Sequence, residues 1–159
     1  MSNTDMKEIV INDDYGGFSL SPQGLKLYCD LKGQPCYFYK TEYKGLEAEL
    51  VPTSPEKLNS LFFSAYNVPN AHEIIKHYSA DMSPAERKER SALFEKMYIS
   101  NRDIARDCPV LVTVVKTLGY KASGAGASLK VVEVPSGVSW EIEEHDGNEW
   151  VAEEHRTWS

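Results

Sequence analysis

Residues 123–158, SGAGASLKVVEVPSGVSWEIEEHDGNEWVAEEHRTW, set the fold class of this 159-residue chain. Ser123-Gly124-Ala125-Gly126 is a break made of small residues. Leu129 to Val134 is apolar and β-branched, and Val138, Trp140 and Ile142 alternate onto one face, so both segments are predicted strands. Pro135-Ser136-Gly137 between them permits a hairpin, although a proline that ends a strand leaves other pairings open. Asp146-Gly147 is a second turn signal, with a short strand expected from Glu149 to Ala152.

The opposite end of the chain supplies another strand. Lys7 to Asp13 holds the apolar run Ile9-Val10-Ile11 between polar ends. Asp14-Tyr15-Gly16-Gly17 breaks it, and Ser21-Pro22 is a helix start, a serine cap with proline at the first helical position. Leu25, Tyr28 and Cys29 follow at helical spacing, and Gly33 is a stop. Cys36 to Tyr43 is aromatic-rich and predicts a strand, paired across Lys44-Gly45 with Leu46 to Val51.

The middle is expected to be helical. Ser54-Pro55 opens a predicted helix with Leu58, Leu61, Phe62 and Ala65 as its apolar stripe. Asn70 caps a short one carrying Ile74, Ile75 and Tyr78. Ser83-Pro84-Ala85-Glu86 is a capping box opening a helix to about Ser100, with Leu93, Phe94, Met97 and Tyr98 apolar. Pro109 to Leu118 is β-branched, yet its leading proline, its closing Leu-Gly and the spacing of Leu111, Val114, Val115 and Leu118 predict a helix. Strands at both ends with helices between them predict an α+β fold: one domain over 1–159, with a small mixed or antiparallel sheet and several helices packed on one face.

Charge is unevenly placed. Val131 to Glu154 holds eight acids, Glu133, Glu141, Glu143, Glu144, Asp146, Glu149, Glu153 and Glu154, and neither Lys nor Arg. That window carries −8 against a whole-chain charge of −7, so the rest of the chain totals +1. Such a surface repels phosphate backbones and attracts basic proteins. Seven of these acids, Glu141, Glu143, Glu144, Asp146, Glu149, Glu153 and Glu154, are the candidate partner-binding set. Arg87, Lys88, Arg90, Arg102 and Arg106 form a milder basic pole, which leaves a homo-oligomer open.

The polar start, Met1 to Met6, and the lack of a long apolar run predict a soluble, cytoplasmic protein with no membrane association. Cys29, Cys36 and Cys108 fit neither a zinc nor a redox spacing and read as free thiols. No catalytic or metal motif is present, so neither a cofactor nor a metal is expected. Were the acids to converge on a cation, oxygen ligands would favour magnesium or manganese.

Tyr15-Gly16-Gly17-Phe18-Ser19-Leu20-Ser21, Asn101-Arg102, Pro109 to Gly119, Ser123-Gly124, Ala127 to Pro135, Trp140 to Gly147 and Glu149 to Trp158 together resemble a group of small proteins encoded by tailed phages and mobile elements. The resemblance covers roughly the first 30 residues and the last 60. It departs at Cys108, Lys116 and His145, where the pattern has an aspartate, an acid and a tyrosine, so no shared chemistry is attached to Cys108 or His145. It implies a phage accessory role without an established activity. With the acidic window, the leading expectation is a counter-defence protein that binds a host factor, such as a basic nucleic-acid-handling protein. The alternative is a small-nucleotide-binding protein or metal-dependent nucleotide hydrolase built on Tyr15, Gly16, Gly17, Arg102 and Arg156, because a strand, a Gly-Gly turn and a helix resemble an anion-binding layout. The His155-Arg156-Thr157-Trp158 tail is expected to dock on the sheet, with Arg156 neutralising part of the window.

Overall fold

The computed structural model describes residues 5–58, 62–75 and 81–154. Among them are β1 (Met6–Asn12), α1 (Pro22–Lys32), β2 (Tyr37–Lys44), β3 (Glu47–Thr53), β4 (Ser64–Tyr66), α2 (Ala71–Ile74), α3 (Pro84–Met97), α4 (Pro109–Leu118), β5 (Leu129–Pro135), β6 (Trp140–His145) and β7 (Asn148–Glu153). The fold is α+β, and its strands form three small antiparallel sheets, β1-β5, β3-β2-β4 and β6-β7. The chain groups into two compact units, Met1–Tyr28 with Asn101–Ser159, and the intervening Cys29–Ser100.

In the first unit, Ile9, Val10 and Ile11 of β1 are all buried, because α4 and β7 both pack against the strand. Leu111, Val112, Val114 and Val115 form the buried side of α4. Burying each such side chain contributes about 1.5–3 kcal/mol, which outweighs the modest helix penalty of β-branching. Pro109 starts α4 and Gly119, at φ +59°, ends it.

Of the pairings that Pro135-Ser136-Gly137 left open, the hairpin across it is not the one formed. β5 runs beside β1 with Val131 opposite Val10, and Ser136 N–H donates to Asp5 O at 3.0 Å. β6 closes on β7 instead, with His145 opposite Asn148. Asp146 at φ +51° and Gly147 at φ +87° supply the two left-handed residues of a type I′ turn, whose twist matches the strands.

The second unit has its own core of Tyr39, Tyr66, Ala71, Ile75 and Met97, flanked by Leu50, Val68, Leu93 and Phe94. α1 ends here in a Schellman motif. Gln34 N–H donates to Cys29 O and Gly33 N–H to Asp30 O, with Gly33 at φ +66°. Lys44 and Glu47 close the expected β2–β3 hairpin around Gly45, at φ +67°. Ser83 Oγ accepts from Glu86 N–H at 3.2 Å, the cap its sequence announces for α3. That helix stops at Met97 rather than near Ser100, because Tyr98 bridges to Tyr66 and Ile99 N–H donates to Ala65 O.

The helix expected from Ser54 to Ala65 is also replaced. Ser54-Pro55 opens only a 3-10 turn, Pro55–Lys57, without a side-chain cap bond. Ala65 lies in β4 opposite Phe38 and is buried, whereas Phe62 is exposed. Pairing with β2 overrides the helical stripe. Leu61, Tyr78 and the tail from His155 to Trp158 lie outside the described residues.

Candidate functional site

The β6–β7 hairpin carries most of the acidic window. Opposed residues of an antiparallel pair share a face. One face therefore holds Glu141 with Ala152, Glu143 with Trp150, and His145 with Asn148. The other holds Trp140 with Glu153, Ile142 with Val151, and Glu144 with Glu149. Glu141 and Glu143 thus share a face, as the alternation predicts. Trp150 is 43% exposed, and its indole N–H donates to Glu143 Oε2 at 2.9 Å. Glu143, Glu144, Asp146, Glu153 and Glu154 are exposed, and Glu141 is half-buried. Among the described residues, none of Glu133, Glu141, Glu143, Glu144, Glu153 and Glu154 is ion-paired with Lys or Arg. Asp146 lies 3.6 Å from His145.

Glu149 does not belong to that surface. Its side chain is only 9% exposed and meets Arg106 through two contacts, Nη1 to Oε1 at 2.5 Å and Nη2 to Oε2 at 2.9 Å. Asn12 N–H also donates to Oε1, at 2.8 Å. The Arg106 guanidinium lies 3.7 Å from the Phe18 ring centroid, and Arg106 O accepts from Val10 N–H. Arg106 is thereby removed from the expected basic pole. Two charges this deep need a close partner and further hydrogen bonds, and both are supplied here. The Asn12 amide completes the node. Its Nδ2 donates to Asp14 O and Gly147 O, and its Oδ1 accepts from Ser128 N–H, each at 2.8 Å.

The glycine turn is committed to packing. Gly16 N–H donates to Gly126 O at 2.9 Å, and a Cβ on Gly16 would overlap the Gly126 backbone. A Cβ on Gly147 would lie 2.6 Å from Gly17 N and from Tyr15 O. Tyr15 N–H donates to the Asp14 carboxylate at 2.7 Å, so a negative group of the chain itself already occupies that amide. Gly16 and Gly17 therefore act as a structural turn rather than an anion cradle, with the Tyr15 side chain exposed. Gly126, which read as part of a break, belongs to the contact with Gly16, whereas Gly124 packs on Ser19 and donates its N–H to Ser19 O at 2.9 Å. Arg102 is exposed on the segment between α3 and α4, and Arg156 lies outside the described residues.

Two open concavities lie in the second unit, and Tyr15, Gly16, Gly17 and Arg102 line neither. One, of about 460 Å³, is walled by Ile74, Met82, Glu86, Glu89, Arg90 and Leu93. The other, of about 380 Å³, is walled by Thr41, Tyr43, Phe62, Phe63 and Ser64. Burial pushes the Tyr39 and Tyr66 phenols above their ordinary value; Tyr39 OH nevertheless accepts from Ala71 N–H and donates to Val68 O, both at 3.2 Å. Among the described residues, no three His, Cys, Asp or Glu side chains gather to hold a metal ion. No helix among them is long and apolar enough to cross a membrane. Among the described residues Cys29, Cys36 and Cys108 form no disulfide, and Cys108 caps α4 without a side-chain bond.

Sequence reasoning missed Trp150 and Asn12, and it placed Arg106 in the basic pole rather than on Glu149. Alternation along β7 does place Trp150 opposite in sense to Glu149, so an inward Glu149 would have signalled an outward indole. Comparison of the chain with models of protein families, with curated proteins and with solved structures finds no match.

Proposed function

We propose that the protein is a non-enzymatic binding protein, a phage accessory factor that engages a basic host protein through the outer face of the β6–β7 hairpin. The phage setting rests on the sequence resemblance. The observation that supports the binding mode is a set of carboxylates without Lys or Arg partners among the described residues, around an exposed indole, with Glu141, Glu143 and Trp150 on one face. Such a surface steers a cationic partner and gives the indole a cation to stack on. The same charge repels nucleic acid. A nucleic-acid-handling host protein would be occupied at the basic surface it uses for DNA or RNA, which is a counter-defence mode of action. Among the described residues the nucleotide-binding alternative has no geometric observation in its favour, since the Gly16 and Tyr15 amides are already bonded.

Capture from bacterial lysate at low and at raised salt tests this, with Glu141→Gln/Glu143→Gln/Glu144→Gln as the control. A protein retained at low salt by the native chain, lost at raised salt and absent with the triple variant supports it. Capture of the same proteins by both chains, or of none by either, overturns it.

A further inference from the structure

β6 has β7 on one edge and, among the described residues, no strand on the other. The directions of its backbone groups follow from the turn. Residues flanking a two-residue loop form a hydrogen-bonded pair, and bonded pairs then recur at every second position. His145 with Asn148, Glu143 with Trp150, and Glu141 with Ala152 are the bonded pairs. The phase continues one step further, where Glu154 N–H donates to Ser139 O at 2.9 Å. The N–H and C=O groups of Trp140, Ile142 and Glu144 therefore point away from β7.

An edge of this kind is a template for another strand. Side chains decide which strand it takes. Glu141 and Glu143 stand at alternate positions on the outer face. A second copy added edge to edge would set carboxylate against carboxylate, which is destabilising. A segment with Lys or Arg at every second position would set cations there instead. Trp150 holds Glu143 by one oxygen, Oε2, which leaves Oε1 for an incoming cation.

We propose that β6 accepts an extended segment of a partner protein, carrying Lys or Arg at alternate positions, as a third strand whose cations meet Glu141 and Glu143. That assignment rests on the acidic surface proposed above and adds how the surface is used. The probe is an eight-residue peptide of alternating lysine and valine, beside one with glutamate for lysine and one N-methylated along the edge that would face β6. Amide exchange of the whole chain is followed by NMR at low ionic strength. The lysine peptide should slow exchange at Ile142 and Glu144, while the other two leave it unchanged. Glu141→Gln/Glu143→Gln should raise the dissociation constant about three- to tenfold, the worth of two exposed charge pairs. Salt-sensitive binding that leaves these amides unprotected, or that survives N-methylation, overturns strand addition while the acidic-surface function stands. No binding of the lysine peptide also overturns strand addition, and the lysate experiment then decides the broader function separately.

Discussion

Replacing Glu149 with alanine separates a buried anchor from the exposed acids that surround it in sequence. The substitution leaves the Arg106 guanidinium, 18% exposed, without its carboxylate, and strands the Asn12 N–H. Breaking a buried pair from one side costs about 3–5 kcal/mol, and the orphaned N–H is part of that sum. Glu144 is the matched control, because it stands opposite Glu149 in the hairpin yet is exposed. Glu144→Ala should stay within about 0.5 kcal/mol. The assay is urea unfolding followed by tryptophan fluorescence. Trp140 and Trp150 lie on β6 and β7, so the signal reports on the hairpin that carries Glu149. With a slope of about 1.5 kcal/mol per molar urea, the midpoint of Glu149→Ala should drop by about 2–3 M. A drop under about 0.5 M, like that of Glu144→Ala, would refute the buried pair. Arg106→Met/Glu149→Leu should recover much of the loss, since replacing both charges removes the stranded guanidinium.

Gly16→Ala should cost more than about 2 kcal/mol in the same assay, because its Cβ meets the Gly126 backbone, whereas Gly137, with nothing near its Cβ position, should accept alanine within about 0.5 kcal/mol. Ser83→Ala removes the acceptor for Glu86 N–H and should lower the stability of the second unit by about 1 kcal/mol, read by thermal melting in far-UV circular dichroism. The Tyr66 phenol is raised above its ordinary value of 10.0 by burial, so the folded chain keeps a proton that the unfolded chain releases. Its contribution is complete below about pH 10 and is lost as pH rises beyond that, so Tyr66→Phe should flatten the decline of unfolding midpoints above about pH 10 and leave those between about pH 7 and about pH 9 with an unchanged slope.

What was legible in the sequence was local. Ser21-Pro22 and Ser83-Pro84 start helices because their hydroxyls reach backbone N–H groups three residues on, a bond that needs no distant partner. Asp146-Gly147 likewise makes its turn from its own backbone preferences. The partner of β5 was not legible, since Val131 meets Val10 from the far end of the chain and any apolar strand would satisfy it equally well. Ala65 shows the same limit, because a helical stripe through Phe62 and Ala65 yields to pairing with Phe38. At the candidate site, alternation separates Glu149 from Trp150, but only Arg106 and Asn12, distant in sequence, determine which of the two turns inward. The four glycines at positions 16, 124, 126 and 147 read as turns and linkers. Close backbone approach is a property of the folded pair, and neither segment displays it alone.

Residues 1–28 and 101–159 build the first unit, while Cys29–Ser100 forms a unit with its own core and its own helix caps. This division bears on how the acidic face works. The hairpin is held from its inner face by Glu149 on Arg106 and Asn12, and at its turn by Asn12 Nδ2 on Gly147 O. Its outer face is then presented on a backbone that is already ordered, so a partner strand meeting Glu141 and Glu143 need not immobilise β6 on arrival. A surface ion pair contributes little when two mobile chains must be fixed to form it, and more when one side is fixed beforehand. The buried carboxylate and the exposed ones therefore stand in different settings within one run of acids: Glu149 holds the strand pair in place, and the others carry the docking role proposed for the outer face.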